Sequence, residues 1–312
     1  MQTETDDLAL RVTDARKRFG AVDALAGASF EVRRGELIGL LGPNGAGKTT
    51  MIRAIAGRVA LDAGEIRLFG RVMRAKDPRK EIGVVPQELA IYGLLTPREN
   101  LEVFGRLFGV ERSALAARVD WALEWSDLKD RANSQVKTFS GGMKRRLNIA
   151  VGLMHSPSIV LLDEPTVGVD PQSRERIYEM LAALQASGVA VVLTTHHLEE
   201  AERRCERIVI IDHGRVVVAG TLRSLLESAR AGGRQLTLTL ETPWPLTVAL
   251  PADLVLSEDR RVVTVAVQNA GADVAARIDA VTRMGVAVSD VDLAGASLQD
   301  VFIALTGREL RD

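Results

Sequence analysis

The sequence predicts an α/β protein in three parts: a three-layer core of strands and helices, a helical insertion, and a small α+β appendage. Three observations carry this. The run Ile159-Val160-Leu161-Leu162 is wholly apolar, the pattern of a strand buried on both faces of a parallel sheet. Short strand-like runs alternate with helical stretches before and after it, as in a layered α/β core. From about Glu88 to His155 the strand pattern gives way to a helical one.

In chain order, residues 1–7 read as a frayed tail. Strands are expected at Leu8–Val12, Ala28–Val32 and Leu37–Leu41, with Arg33-Arg34-Gly35-Glu36 as a turn before the third. A glycine-rich segment and a helix from about Lys48 to Ile55 follow, then strands at Glu65–Phe69 and Ile82–Val85. After the helical block come the strand Ile159–Leu162, a helix Arg174–Ala186, a strand Ala190–Thr194 and a helix Leu198–Cys205. The strands Ile208–Ile211 and Val216–Ala219 flank His213-Gly214, a hairpin turn. The core is therefore expected at 8–87 and 158–228, with the insertion at 88–157. Together they make a domain at 8–230. Ala231-Gly232-Gly233 is the linker candidate, and 233–312 restarts as a second domain: strands near Gln235–Leu240, Val262–Val267 and Val286–Val291, helices near Asp273–Met284 and Leu298–Leu305.

Composition narrows the function classes. Of 312 residues 46% are apolar and 26% charged, ordinary for a soluble globular protein. The net charge of −1 lacks the basic excess of a chain built to grip nucleic acid, so no nucleic-acid partner is expected. The single cysteine, Cys205, rules out a disulfide framework within the chain and fits a reducing compartment. The acidic start Met-Gln-Thr-Glu-Thr-Asp-Asp is not expected to be a secretory signal. No apolar run approaches the ~18–20 residues that span a bilayer; if the protein serves a membrane, another chain supplies the membrane part.

The strongest motif is Gly42-Pro43-Asn44-Gly45-Ala46-Gly47-Lys48-Thr49-Thr50, which fits the phosphate-binding loop G-x-x-x-x-G-K-[ST]. Glycines let backbone N–H groups turn inward around a phosphate, and the following helix adds the positive end of its dipole. Lys48 would reach the β- and γ-phosphates of a nucleotide, and the Thr49 hydroxyl would ligate Mg²⁺. The apolar run 159–162 ends in Asp163 and Glu164. At the carboxyl end of a parallel strand, Asp163 can hold Mg²⁺ and Glu164 can polarise the water that attacks the γ-phosphate.

A third motif, Phe139-Ser140-Gly141-Gly142-Met143 followed by Lys144-Arg145-Arg146, resembles the signature sequence of ABC ATPases, usually Leu-Ser-Gly-Gly-Gln. Phe replaces Leu and Met replaces Gln; Ser140, Gly141 and Gly142, which would form an anion site at a helix N-terminus, are intact. The Lys-Arg-Arg run is either a solvated face or a contact with neighbours in the insertion. All motifs occur once, in family order, across about 8–228. The resemblance implies a P-loop NTPase (RecA-like) core, Mg²⁺-dependent ATPase activity, and roles for further residues. Phe19 matches the aromatic residue that stacks on adenine, with an ordinary core phenylalanine as its alternative. Gln87 matches the glutamine that contacts Mg²⁺ and the attacking water. Asp170 matches the loop that meets the other subunit, and His196, rather than His197, the histidine that contacts the γ-phosphate.

The resemblance further implies a homodimer, with each ATP held between the phosphate loop of one copy and Ser140–Gly142 of the other. It implies a separate polytopic membrane permease whose cytoplasmic helix is received near Glu88-Leu89-Ala90-Ile91-Tyr92 and Leu94-Leu95-Thr96, and a peripheral place on the cytoplasmic face of the cell membrane. The segment Ser297 to Arg308 resembles the tail of ATPases of the daunorubicin-resistance type, which serve ABC-2 membrane subunits. That points to an exporter of a drug, antibiotic or lipid-like compound. A soluble ABC ATPase acting on ribosome or DNA, and an importer ATPase with a regulatory C-terminal domain, stay open as alternatives at this point.

Overall fold

The computed structural model describes residues 7–74, 77–228, 234–267, 270–294 and 297–306; the tail at 1–6 and the linker candidate at 231–233 lie outside these. The chain divides into two compact units, the first ending at Thr221 and the second beginning at Leu222.

The first unit opens with two twelve-residue strands, β1 (Leu8–Phe19) and β2 (Val22–Arg33), then β3 (Leu37–Leu41), α1 (Lys48–Ile55), β4 (Ala63–Leu68), β5 (Arg71–Val72) and β6 (Ile82–Val85). The helical insertion follows as α2 (Pro97–Leu107), α3 (Arg112–Trp125) and α4 (Gly141–Gly152). The core resumes with β7 (Ile159–Asp163), α5 (Pro171–Ala186), β8 (Ala190–Thr195), α6 (Leu198–Arg204), β9 (Arg207–Asp212) and β10 (Arg215–Gly220).

Six strands form the main sheet in the order β10-β9-β3-β8-β7-β6. All are parallel except β10, which returns from β9 as a hairpin. The residues of β3, β7 and β8 are buried throughout, as expected of strands covered on both faces. A second, antiparallel sheet, β2-β1-β4-β5, packs its apolar face into the same core. Sequence reasoning found only parts of β1 and β2. Several register shifts along the β1–β2 ladder break the period-2 alternation that betrays a strand.

The insertion has its own core, including Leu101, Val119, Leu123, Leu147 and Met154. Local sequence sets its helices. Thr96 caps α2, accepting from Glu99 N, while the Glu99 side chain accepts from Thr96 N; Pro97 fills the first helical position. Ser140 caps α4 by accepting from Met143 N at 3.2 Å. Asp170 caps α5 by accepting from Ser173 N at 2.9 Å, a bond that holds its carboxyl below the usual carboxylate range. The Lys-Arg-Arg run is not a solvated face: Arg145 is buried, and Arg146 donates to Ser126 O and to Asp127 in the insertion.

The second unit begins with α7 (Leu222–Ser228) and continues as β11 (Arg234–Leu240), β12 (Val255–Leu256), β13 (Val262–Val267), α8 (Ala270–Arg283), β14 (Val288–Ala294) and α9 (Leu298–Thr306). Its sheet, in the order β12-β13-β11-β14, is antiparallel. Apolar residues at alternate positions of β11 and β13 pack with Trp244, Val281 and Val286 to form its core.

Candidate functional site

Because β3, β8, β7 and β6 run parallel, their carboxyl ends lie along one edge of the sheet. The loop after each carries one of the predicted groups: 42–50 after β3, Asp163 and Glu164 at the end of β7, His196 after β8, and Gln87 after β6. These converge on a cavity of about 320 Å³, lined by Pro43 to Thr50, Gln87, Glu164, His196, Val22 and Ala24. Such crevices at strand ends are where open α/β sheets bind ligands.

The phosphate loop is held by close backbone approach. Gly47 has φ 105° and caps α1; a Cβ there would overlap the Ala24 carbonyl oxygen. Lys48, 7% exposed, donates to Gly42 O at 2.6 Å and Pro43 O at 3.2 Å. Burial pushes its pKa down, and the negative charges of Glu164 and Asp163 work against that shift. A buried cation satisfied by backbone carbonyls, at the positive end of a helix, is poised for an anion.

Asp163 Oδ1 accepts from Thr194 Oγ1 at 2.7 Å and lies 3.4 Å from Thr49 Oγ1. Thr49 and Gln87 line the cavity. This oxygen-donor set fits Mg²⁺, which takes few protein ligands and completes its shell with phosphate and water. Among the described residues no group of three His, Cys, Asp or Glu makes a self-sufficient metal cage.

Glu164 leaves β7 with φ 49°, a costly conformation for a residue with a Cβ. Its amide is fixed by Thr194 O at 3.2 Å and Thr194 Oγ1 at 3.0 Å. The turn aims its carboxylate into the cavity, where Oε2 lies 3.0 Å from His196 Nδ1. His196 lines the cavity, whereas His197 sits at the start of α6 with its amide bonded to Thr195 Oγ1.

Phe19 ends β1 at the hairpin and is 50% exposed, with Lys17 Nζ 5.4 Å from its ring centroid; it is not a core phenylalanine. Among the described residues that line the cavity, none belongs to Ser140, Gly141, Gly142 or Met143. These open α4, and Gly142 packs so closely on Ser173 that a Cβ there would overlap it. The signature turn and the Asp170 cap are thus neighbours, and the chain does not fold its own signature onto its own phosphate loop.

Sequence reasoning missed a network behind the site. Glu200 Oε2 accepts from Thr166 Oγ1 at 2.9 Å and from the Tyr178 hydroxyl, and Oε1 lies 2.8 Å from Arg174 Nη1. Burial and the Glu200 bond push the Tyr178 hydroxyl far above the phenol range. The network ties the segment after Glu164 to α5 and α6. No local signal distinguishes Glu200 from its solvated neighbour Glu199.

The family model of ABC transporters matches residues 25–167. Linearmycin resistance ATP-binding protein LnrL of Bacillus subtilis (strain 168) is 37% identical over 312 residues, covering 97% of this chain and 100% of that protein. The chain belongs to the ABC transporter ATP-binding subunits. This ABC ATPase is also 38% identical to daunorubicin resistance ATP-binding protein DrrA3 of Streptomyces coeruleorubidus, with 98% of each chain covered. Among solved structures, the dimeric post-hydrolysis state of the ATP-binding cassette MJ0796 bound to ADP and Pi matches with a TM-score of 0.61 at 27% identity. That match covers 68% of this chain and 98% of that one. The ABC ATPase is thus an ATP-binding subunit similar to drug- and antibiotic-resistance exporters.

Proposed function

We propose that this subunit hydrolyses Mg–ATP as a homodimer and drives a separate ABC-2 type membrane subunit that exports a drug, antibiotic or lipid-like compound. The observation that carries the reading is the one-sidedness of the nucleotide cavity. Lys48, Thr49, Gln87, Glu164 and His196 line one cavity, with Asp163 beside Thr49, while Ser140–Met143 opens a helix and does not line it. A second copy related by a two-fold axis supplies the missing side to each site. The likeness of this chain to MJ0796, whose own structure is dimeric, supports it.

In this reading Glu164 takes the proton of the water whose oxygen bonds to the γ-phosphorus as the bond to the bridging oxygen breaks. His196 orients that carboxylate and touches the γ-phosphate, and Phe19 stacks on adenine. Thr49, Gln87 and Asp163 would hold Mg²⁺, which when bound offsets phosphate charge. Loss of the γ-phosphate removes what both copies grip, and the pair opens.

The membrane contact is read from exposed apolar residues on the insertion. Leu94 and Leu107 are 72% and 71% exposed. Leu89, Tyr92 and Phe108 are also exposed, whereas Ile91 packs against the insertion's core. Beside them lies a cavity of about 650 Å³ lined by Phe108, Val110, Arg118, Trp121, Met154 and His155. No helix among the described residues is long and apolar enough to cross a membrane. A partner's amphipathic helix suits this surface.

The test is co-production with a polytopic membrane protein of the ABC-2 type. The wild type is expected to sediment with membranes. Tyr92→Asp and Leu107→Asp variants stay in the supernatant while still binding ATP. Unchanged sedimentation of both variants would count against this surface, and co-purification with ribosomes or DNA against the transport reading.

A further inference from the structure

Gln87 stands between two bodies. On one side is β6, paired with β7 in the main sheet. On the other is the loop 88–96, which the insertion holds: the Asn100 side chain bonds Tyr92 N, Tyr92 O and Thr96 O, and the amides of Val136 and Lys137 donate to Leu95 O and Gly93 O.

Two side chains of α4 reach the residues that bracket Gln87. Asn148, 2% exposed, accepts from Ala90 N at 2.9 Å and donates to Pro86 O at 3.3 Å. Arg145, one turn earlier and 6% exposed, donates to the same Pro86 O at 3.2 Å. No carboxylate among the described residues lies within ion-pair reach of Arg145. Burying a guanidinium without a counter-charge is expensive, and an apolar side chain of similar volume would fill the place at lower cost. Stability alone does not account for the choice. A fixed donor onto the carbonyl next to Gln87 does.

We propose that Asn148 and Arg145 are positioning residues for Gln87. They fasten the segment Pro86–Ala90 to the helix that begins with Ser140, so the Gln87 carboxamide follows that helix. The proposal rests on the reading of Gln87 as a contact of Mg²⁺ and the attacking water.

The test compares kcat and KM for ATP in Asn148→Ala, Arg145→Met, Gln87→Ala and the two double variants with Gln87→Ala. Loss of one hydrogen-bond-sized restraint is expected to lower kcat about tenfold in each of the first two, with KM for ATP held within about twofold. In the Gln87→Ala background neither lowers kcat further. Full additivity overturns the proposal and leaves the Gln87 reading intact. Wild-type kcat in Gln87→Ala overturns both. A thermal melt identifies a variant that fails to fold; Arg145→Met, which removes an unpaired buried charge, then carries the comparison. Amide hydrogen exchange adds a readout free of turnover. In Glu164→Gln protein, Mg–ATP is expected to protect residues 87–92. Adding Asn148→Ala or Arg145→Met abolishes that gain. Equal protection in all three overturns the proposal.

Discussion

Replacing Glu164 by glutamine is expected to abolish ATP hydrolysis while leaving ATP bound. Glutamine keeps the shape of a side chain that is 9% exposed and adjoins His196 Nδ1. The backbone turn at φ 49°, fixed by Thr194, does not depend on the carboxylate. What is lost is the group that receives the proton, worth roughly 10²–10⁴ in rate for a positioned general base. Single-turnover hydrolysis of radiolabelled ATP measures this. Hydrolysis within tenfold of wild type would remove Glu164 from its assigned role.

Lys48→Ala should weaken ATP binding by about 10²–10³-fold, the scale of truncating one partner of a buried charged contact. The ammonium group is held by Gly42 O and Pro43 O, and its loss leaves the negative charges of Asp163 and Glu164 facing the triphosphate. The pH dependence has a definite sign. Burial lowers the Lys48 pKa, so the empty folded protein releases this proton at a lower pH than the unfolded chain. Above that lowered pKa the unfolded state holds more protons, and the empty protein gains stability as pH rises. A bound triphosphate favours the charged form and draws the proton back. Wild-type affinity should therefore fall on going alkaline sooner than for an unperturbed lysine, with proton uptake on binding. In Lys48→Ala this fall disappears. Isothermal titration in buffers of different ionisation enthalpy tests both points; equal pH profiles would contradict them.

Much of the site was legible because its chemistry is written in contiguous runs. The loop 42–50 lies between an apolar strand and a helix, and 159–164 is an apolar strand ending in two acids; each run states its own fold and position. Gln87, Phe19, Asp170 and His196 are single residues without a local signature, and the resemblance alone assigned them. Geometry puts Gln87 and His196 on the same cavity as Lys48, and it puts Phe19 at an exposed hairpin. Long-range partnerships were not legible. Asn148 meets Ala90 58 residues away, and Glu200 meets Thr166 across 34. Nothing in either neighbourhood marks a polar side chain as buried and bonded. The Lys144-Arg145-Arg146 run shows the same limit: charge suggests solvent, while helical period and the packing of α4 put Arg145 inside.

A structure of the Glu164→Gln protein with Mg–ATP tests the shared-site account most directly. The account predicts a two-fold pair in which Ser140 Oγ and the Gly142 amide of each protomer lie about 3 Å from the γ-phosphate cradled by the opposite protomer's phosphate loop. A triphosphate enclosed by one chain alone, with Ser140 remote from any nucleotide, would contradict it.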